Sequence, residues 1–387
     1  MYAAERGGKG TNMLKLLTVF AMALALAYVS ERNTQACAAS GRQYSTGKDW
    51  AYVLLVIVMT LFAGLRTSYN DTWNYVSGFR SFPILSEFLA DPENLNPFKN
   101  PLFYLFESFL KTYVDNAQVM IFTTSLFAQI CFIRFFKRYS ENFVFSIFIY
   151  FTLGTFVFTL AAIKQVTAMA IITLAFPYLE KRKYGRYYLL VLAAMLVHTY
   201  ALAFVILPFF STRPWRAFTF VFIAAIAVLM MNFEEVITEF MEQANELGKT
   251  IAEYEVFGDA TINVFRLGVY AVPPLISLIC QKWVLRGNSR TENILVHMTI
   301  ISLAFMSMGT QSGANMFGRM ANYFELGTIC YLPTMLKKTF DERSYLLVSN
   351  IACVCFMGFF VYANGINLYF DQAYQATSLM KFISSLF

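Results

Sequence analysis

Long apolar runs recur along the whole chain, and they constrain the fold more than any other feature of the sequence. A helical run of about 17–25 apolar residues spans a hydrocarbon core roughly 30 Å thick. A membrane barrel would instead show segments of about ten residues with alternating polarity. The sequence therefore predicts an all-α, polytopic transmembrane bundle of about 10–12 membrane segments. The runs lie near residues 13–30, 50–64, 116–135, 142–161, 164–180, 187–210, 216–232, 264–282, 293–309, 316–336 and 344–362.

Composition agrees with a membrane protein and excludes several other classes. Hydrophobic residues make up 58% of the chain and charged residues 14%, whereas ordinary globular domains are about 25% charged. The two histidines, His198 and His297, are too few for a histidine-rich metal site. The six cysteines form no pair of CxxC motifs, which argues against a zinc or disulfide framework. Because no repeat or low-complexity tract interrupts the sequence, we expect residues 1–387 to form a single integral membrane domain.

Basic clusters between the apolar runs predict the topology, because short basic loops normally face the cytoplasm. This rule places the loops 65–114 and 233–260 outside, together with the N-terminus and the C-terminal tail, although basic residues near the N-terminus argue against its outside position. Residues 102–114 have aromatic and apolar residues at helical spacing, so we expect this helix to lie in the interface plane. The clusters are residues 134–138, 181–186, 213–216, 282–290 and 337–343.

One apolar run conflicts with this rule. Basic clusters flank residues 187–210 on both sides, yet one full crossing cannot return to the same face. We interpret the run as a re-entrant pair of half-helices with its bend near His198. Each leg of about 12 residues reaches about 18 Å, and broken backbone at this depth is tolerated only inside protein or beside a wet cavity. The alternative is a single tilted crossing with weak topology signals.

Four cationic residues, Arg66, Lys164, Arg266 and Arg319, lie in or beside apolar runs. A charge at the bilayer centre costs at least about 2.5–3.5 kcal/mol, so these positions suggest function. The predicted topology puts all four near the outer ends of their helices, where they can converge on one cavity with His198. Such a cluster attracts a phosphate-type ligand, which arginine contacts bidentately. The alternative for each is snorkelling of a long side chain to the lipid headgroups.

Asp71 and His198 are the candidate groups for proton transfer. The stretch "DTWNY" puts Asp71 and Tyr75 on one face of a helix. Asp71 could equally be an N-cap, a common role for aspartate. His198 is either a core histidine or a residue that binds a phosphate or sugar hydroxyl or acts as a general base. Arg319 and Glu325 could form a structural pair, although i,i+6 is a poor spacing for direct contact.

Three segments in the same order resemble the EpsG-like polysaccharide polymerases, which are Wzy-type proteins. The first is "GLRTSYNDTWNYVSGF", and the second is "KQVTAMAIITLAFPYLEKRKYGRYYLLVLAAMLVHTYALAFVILP". The third, "GRMANYFELGTICYLP", resembles the family's R…Y-F…P segment. The chain departs from the family at Lys164, which stands where the family's R-Q pair usually has arginine. Lysine keeps the charge but loses bidentate geometry.

The resemblance implies a GT-C-like bundle and a bacterial inner-membrane glycosyltransferase that builds O-antigen, capsule or exopolysaccharide. Such a polymerase joins repeat units carried on undecaprenyl diphosphate at the periplasmic or outer side, alongside a chain-length regulator and a flippase. It needs no cofactor and no metal. The alternatives are a lipid-linked oligosaccharide flippase and a membrane polysaccharide ligase. The implied residues are Arg66, Lys164, Arg266 and Arg319 for the diphosphate, Asp71 and His198 for catalysis, and Tyr75, Gln165 and Tyr323 for the sugar.

Overall fold

A computed structural model describes residues 11–41, 43–232, 261–311, 315–365 and 369–386, and these are almost entirely helical. The predicted outer loop 233–260 lies outside the described residues. Short 3-10 helices cover Thr46–Lys48, Pro92–Leu95, Pro97–Lys99 and Thr199–Ser211, and two short strands are Arg66–Ser68 (β1) and Gln375–Ala376 (β2). The α-helices are Thr11–Ala39 (α1), Trp50–Gly64 (α2), Thr72–Ser81 (α3), Leu85–Ala90 (α4), Pro101–Tyr113 (α5), Ala117–Tyr139 (α6), Phe143–Thr152 (α7), Thr155–Ala161 (α8), Ile163–Glu180 (α9), Tyr184–Val197 (α10), Ala217–Met231 (α11), Val264–Ile279 (α12), Gln281–Val284 (α13), Arg290–Met308 (α14), Asn315–Thr339 (α15), Glu342–Asn364 (α16), Tyr369–Ala373 (α17) and Leu379–Ser384 (α18).

Within the described part of the chain, four helices are long and apolar enough to cross a membrane, namely α1, α6, α14 and α16. A fifth candidate is the bent pair α7 and α8, whose axes differ by 53°. The apolar run near 142–161 is therefore two helices and not one continuous segment. Gly154 occupies the break with a φ of +94°, a conformation that residues with a Cβ rarely adopt. Five shorter apolar helical segments complete the bundle.

Polar side chains define where several helices begin. Asp49 accepts a hydrogen bond from the Ala51 N–H at the start of α2, and Asn116 does the same for Gln118 in α6. At α14, Ser289 and Glu292 form a reciprocal capping box. Each of these contacts satisfies a backbone donor that the first helical turn leaves without an intrahelical partner. Two helices that matter for the site, α3 and α9, begin without any side-chain cap.

The predicted break at His198 is confirmed. Helix α10 ends there, because His198 is extended with φ −155° and ψ 116°, and the 3-10 helix Thr199–Ser211 follows. The Tyr187 hydroxyl donates a 2.7 Å hydrogen bond to the Phe204 carbonyl, although the two residues are 17 apart in sequence. A straight helix would separate them by about 25 Å. The two legs therefore fold back on one another, as the half-helix interpretation requires.

The N-terminal end of α1, the first loop and the C-terminal segment meet at one end of the bundle, which we call the loop end. Asp371 accepts hydrogen bonds of 2.8 Å from the backbone N–H groups of Asn12 and Met13. Strands β1 and β2 pair antiparallel, with Arg66 opposite Ala376. The predicted topology likewise placed these three segments on the same side of the membrane.

The basic clusters contact one another at the opposite end, which we call the basic end. Arg138 forms an ion pair with Glu180 at 2.8 Å, and Lys338 pairs with Glu292 at 2.6 Å. The Arg290 guanidinium also contacts the Tyr184 hydroxyl at 3.0 Å. Four of the five clusters that the positive-inside rule assigned to one face, all but residues 213–216, are therefore close together in space.

Helices α14 and α15 form the most extensive helix pair in the core, and α15 runs from the loop end to the basic end. Their close approach depends on Gly327, since a Cβ there would lie 2.6 Å from Met298 Cβ and 2.7 Å from the Leu295 carbonyl oxygen. Small residues at such crossings let two backbones pack tightly. The pairing fixes the first turns of α15 at the loop end.

Candidate functional site

The start of α9 lies at the loop end, against two segments of the first loop. The Lys164 N–H approaches the Tyr75 hydroxyl on α3 at 3.4 Å. The Lys164 ammonium donates a 3.1 Å hydrogen bond to the Tyr104 hydroxyl on α5 and lies 5.0 Å from the centre of that ring. The uncapped N-terminal turn of α9 adds a partial positive charge to that of Lys164. The first turn of α9 is therefore electropositive, and the hydroxyls of two tyrosines contact it.

Gln165, the next residue, connects α9 to α15. Its side-chain N–H donates a 2.6 Å hydrogen bond to the Arg319 carbonyl. Its carbonyl oxygen is buried and has no hydrogen-bond partner among the described residues. Arg319 is half-buried in the first turns of α15. One amide side chain thus joins the two helices, α9 and α15, that carry the predicted cations Lys164 and Arg319.

The bend at His198 reaches the same place. His198 Nδ1 lies 3.0 Å from the Tyr323 hydroxyl, one helical turn after Arg319. The following residue, Thr199, donates its backbone N–H to the Asn100 side chain of the first loop at 3.2 Å. His198 is 7% exposed and Tyr323 is 1% exposed. We call Tyr75, Lys164, Gln165, His198, Arg319 and Tyr323 the loop-end cluster.

Arg266 lies near the loop-end cluster, but a carboxylate close to it offsets its positive charge. Its guanidinium donates to the Asn322 side chain at 3.2 Å and lies 5.6 Å from the centre of the Tyr270 ring. The Tyr270 hydroxyl in turn donates a hydrogen bond to Glu325. Glu325 therefore interacts with Tyr270 and not with Arg319, so the structural pair considered from the sequence is wrong. Buried charges need such partners, and the arrangement lowers the net positive charge near Arg266.

Arg66 lies deeper than its position at a helix end suggested. Its side chain is fully buried and donates to the Ala63 carbonyl and to Ser125 Oγ at 3.0 Å. Snorkelling therefore does not describe this residue. One guanidinium nitrogen, Nη2, has no partner among the described residues. The adjoining cavity, lined in part by Ser125 and Thr159, has about 10 Å³ of accessible volume, which is room for about one water and not for a phosphate.

Asp71 occupies the N-cap position of α3, but its carboxylate makes no cap hydrogen bond. The cap interpretation is therefore wrong. Among the described residues its side chain makes no hydrogen bond or ion pair, and it is half-buried. Asp71, Lys164 and Arg319 all lie within electrostatic range of the Tyr75 hydroxyl. Asp71 therefore shares the surroundings of the Tyr75 hydroxyl with two of the predicted cations.

Two further residues of the site, Tyr104 and Glu107 on α5, are not among those predicted from the sequence. Tyr104 contacts Lys164 directly, and Glu107, one turn later, is 3% exposed. The signal was present, because Glu107 is the single acidic residue in the otherwise apolar and aromatic stretch "LFYLFESFL". The sequence predicts that this helix lies in the interface plane, where a single carboxylate on its exposed face needs no protein partner. In the part of the chain that the structure describes, no group of three His, Cys, Asp or Glu side chains has a metal-binding arrangement.

Comparison with known proteins gives one match. The family model described as the EpsG family matches residues 49–375, a range that includes all nine site residues predicted from the sequence. No curated protein and no solved structure matches the chain. The predicted GT-C-like relationship therefore stays a prediction.

Proposed function

Because the chain belongs to the EpsG family, whose members are associated with polysaccharide polymerisation, we propose that it is a membrane glycosyltransferase. In this proposal it joins undecaprenyl-diphosphate-linked oligosaccharide repeat units at the outer side of the bacterial inner membrane. One observation carries it. Lys164 and Arg319 come from separate helices, yet contacts of 2.6–3.4 Å join their first turns within the loop-end cluster. Arg266, from a third helix, contacts Asn322 at 3.2 Å, the residue next to Tyr323 of this cluster.

Lys164 and Arg319 are the proposed diphosphate ligands. Both are half-buried and close to the uncapped start of α9, where the helix dipole favours an anion. Hydrogen bonds to charged groups contribute about 1.5–3 kcal/mol each, and they strengthen as charge develops on the departing diphosphate. Arg266 supplies less net charge because Glu325 is near it. Arg66 does not contact the diphosphate, since its cavity does not admit a phosphate. In this proposal its buried positive charge stabilises the anion electrostatically from a distance.

The acceptor sugar is proposed to lie beside Asp71 and the tyrosines of the loop-end cluster. Its hydroxyl oxygen attacks the anomeric carbon of the donor, the bond from that carbon to the diphosphate breaks, and the diphosphate leaves. The protein's task is to position the two sugars and to stabilise the leaving group. Asp71 has an unpartnered carboxylate for a sugar hydroxyl, while His198 orients Tyr323. Tyr75, Gln165 and Tyr323 are the proposed sugar contacts.

The test uses the purified protein in bilayers with undecaprenyl-diphosphate-linked repeat units, and the products are sized on a gel. We expect a ladder for the wild type and its loss in Arg319→Ala at unchanged melting temperature. Arg80→Ala is the matched control, because Arg80 is exposed on α3 at the same end of the bundle. No ladder, with transbilayer movement of the lipid, would instead identify a flippase. A single transfer to a different acceptor, without a ladder, would identify a ligase.

A further inference from the structure

Helix α5 carries a buried carboxyl group that the proposed mechanism does not use. Glu107 lies on the buried face of this helix with Phe103 and Leu110, and it is 3% exposed. Buried carboxylates are normally paired or hydrogen-bonded, because removing a charge from water is costly. Across the described ranges, no residue donates a hydrogen bond to the Glu107 carboxylate, and no ion pair includes it. Its oxygens are not among the fully enclosed polar atoms that lack a partner, so the carboxylate keeps slight access to solvent.

The position of Glu107 connects it to the loop-end cluster. Tyr104, one turn earlier on the same face of α5, holds the Lys164 ammonium at 3.1 Å. Lys164 is also the charged group that acts on Glu107 electrostatically. The carboxyl group therefore lies one helical turn from the tyrosine that contacts Lys164, the cation to which we assign the leaving diphosphate.

Other charged groups lie on α5 and on the elements that pack against it. On α5 itself Lys111 is paired with Asp115. Helices α4, α6 and α10 and the 3-10 helix Pro92–Leu95 pack on α5. Glu87 on α4 is exposed, and Glu93 of the 3-10 helix is paired with Lys99. The titratable or charged groups of the other two helices are, on α6, Cys131, Arg134, Lys137, Arg138 and Tyr139, and, on α10, Tyr184, Arg186, Tyr187 and Tyr188, with His198 just beyond its end.

The protonation behaviour of Glu107 suits proton transfer. Burial raises the pKa of this carboxyl group to about 7, and the nearby Lys164 charge opposes that rise. A general base works best when its pKa lies near the operating pH, because it is then both deprotonated and a good proton acceptor. An exposed glutamate, with a pKa of about 4.3, is a weaker base at the same pH.

We propose that Glu107 is the general base of the glycosyl transfer. Its carboxylate takes the proton of the acceptor hydroxyl while that oxygen bonds to the anomeric carbon, and the electron pair of the breaking bond goes to the diphosphate beside Lys164. This inference rests on the proposed function. Asp71 then binds the acceptor sugar and holds it in place, and His198 orients the Tyr323 hydroxyl.

The test measures the initial rate of polymer formation between about pH 5 and pH 9. In the wild type the rate rises with pH through about 7 and then levels off, because the base must lose its proton first. We expect Glu107→Gln to lower the rate about 100-fold or more and to abolish this rise, since general bases contribute about 10²–10⁴-fold. Glu107→Asp keeps a carboxyl group, so it retains the rise at a reduced rate. Glu87→Gln is the matched control and behaves as the wild type.

Three outcomes contradict the assignment. A wild-type rate in Glu107→Gln removes the residue from the reaction. A lower rate with the same dependence on pH, or with a lower melting temperature, means that Glu107 has only a structural role. A wild type without any ladder overturns the proposed function itself and this inference with it, whereas a normal wild-type ladder with an active Glu107→Gln variant overturns this inference alone.

Discussion

At the scale of single residues, Lys164 is informative, because the EpsG-like polymerases that the chain resembles usually have arginine at this position. An ammonium offers a point charge, whereas a guanidinium offers two parallel hydrogen bonds to a phosphate. We expect Lys164→Met to lower the polymerisation rate roughly 10- to 100-fold, the equivalent of about 1.5–3 kcal/mol. Lys164→Arg should keep or raise the rate. A wild-type rate in Lys164→Met, measured beside Arg80→Ala, would contradict a role in binding the diphosphate.

Asp71 gives a second residue-scale prediction, because its carboxylate occupies a cap position without capping. We expect Asp71→Ala to reduce polymer formation at least about tenfold, as a lost sugar contact costs more than about 1.4 kcal/mol, and to leave the melting temperature unchanged. Asp49→Ala is the control, since Asp49 accepts hydrogen bonds from the Ala51 N–H and also from Asn33 and Tyr44, so its loss should cost at least about 1 kcal/mol. A fall in melting temperature for Asp71→Ala comparable to that control would restore the cap interpretation.

At the scale of elements, the contact between α14 and α15 positions the site. We expect Gly327→Ala to lower the free energy of unfolding by about 1–3 kcal/mol, because overpacking forces the two backbones apart. The new Cβ would meet Met298 Cβ and the Leu295 carbonyl. Gly358→Ala on α16 is the matched control, because a Cβ there contacts nothing within 4 Å. Thermal unfolding of both purified variants decides the point, and equal melting temperatures would contradict it.

At the scale of the whole molecule, the C-terminal segment joins parts of the chain that are far apart in sequence. Asp371 caps α1, and the Thr377 N–H donates to the Leu65 carbonyl at 2.8 Å, directly before Arg66. We expect Asp371→Ala to increase amide hydrogen exchange at Asn12 and Met13 and also at β1, since the loss of one cap costs about 0.5–2 kcal/mol. Met380→Ala, a change at an exposed side chain, should leave this exchange unchanged. Faster exchange at the α1 start alone would mean that the segment does not couple the two regions.

The order of residues is enough to predict the helical membrane class, because hydropathy and run length are local properties that decide whether a helix can span a bilayer. The sequence also predicted the break at His198. Basic clusters flank the run 187–210 on both sides, and they can share one membrane face only if the run turns back. The loop-end positions of Lys164 and Arg319 followed from the same topology. These inferences need only the order of polar and apolar residues along the chain.

Only the tertiary structure decided which side chains meet. It turned Arg66 into the interior, placed Glu325 with Tyr270 beside Arg266, and left Asp71 without a cap bond. It also brought Glu107 from a loop helix to the vicinity of Lys164. These relations join residues 55 to 59 positions apart in the cases of Arg66–Ser125, Arg266–Asn322 and Tyr270–Glu325. Local pattern cannot supply them, because the partner of a buried charge is chosen by helix packing and not by neighbours in sequence.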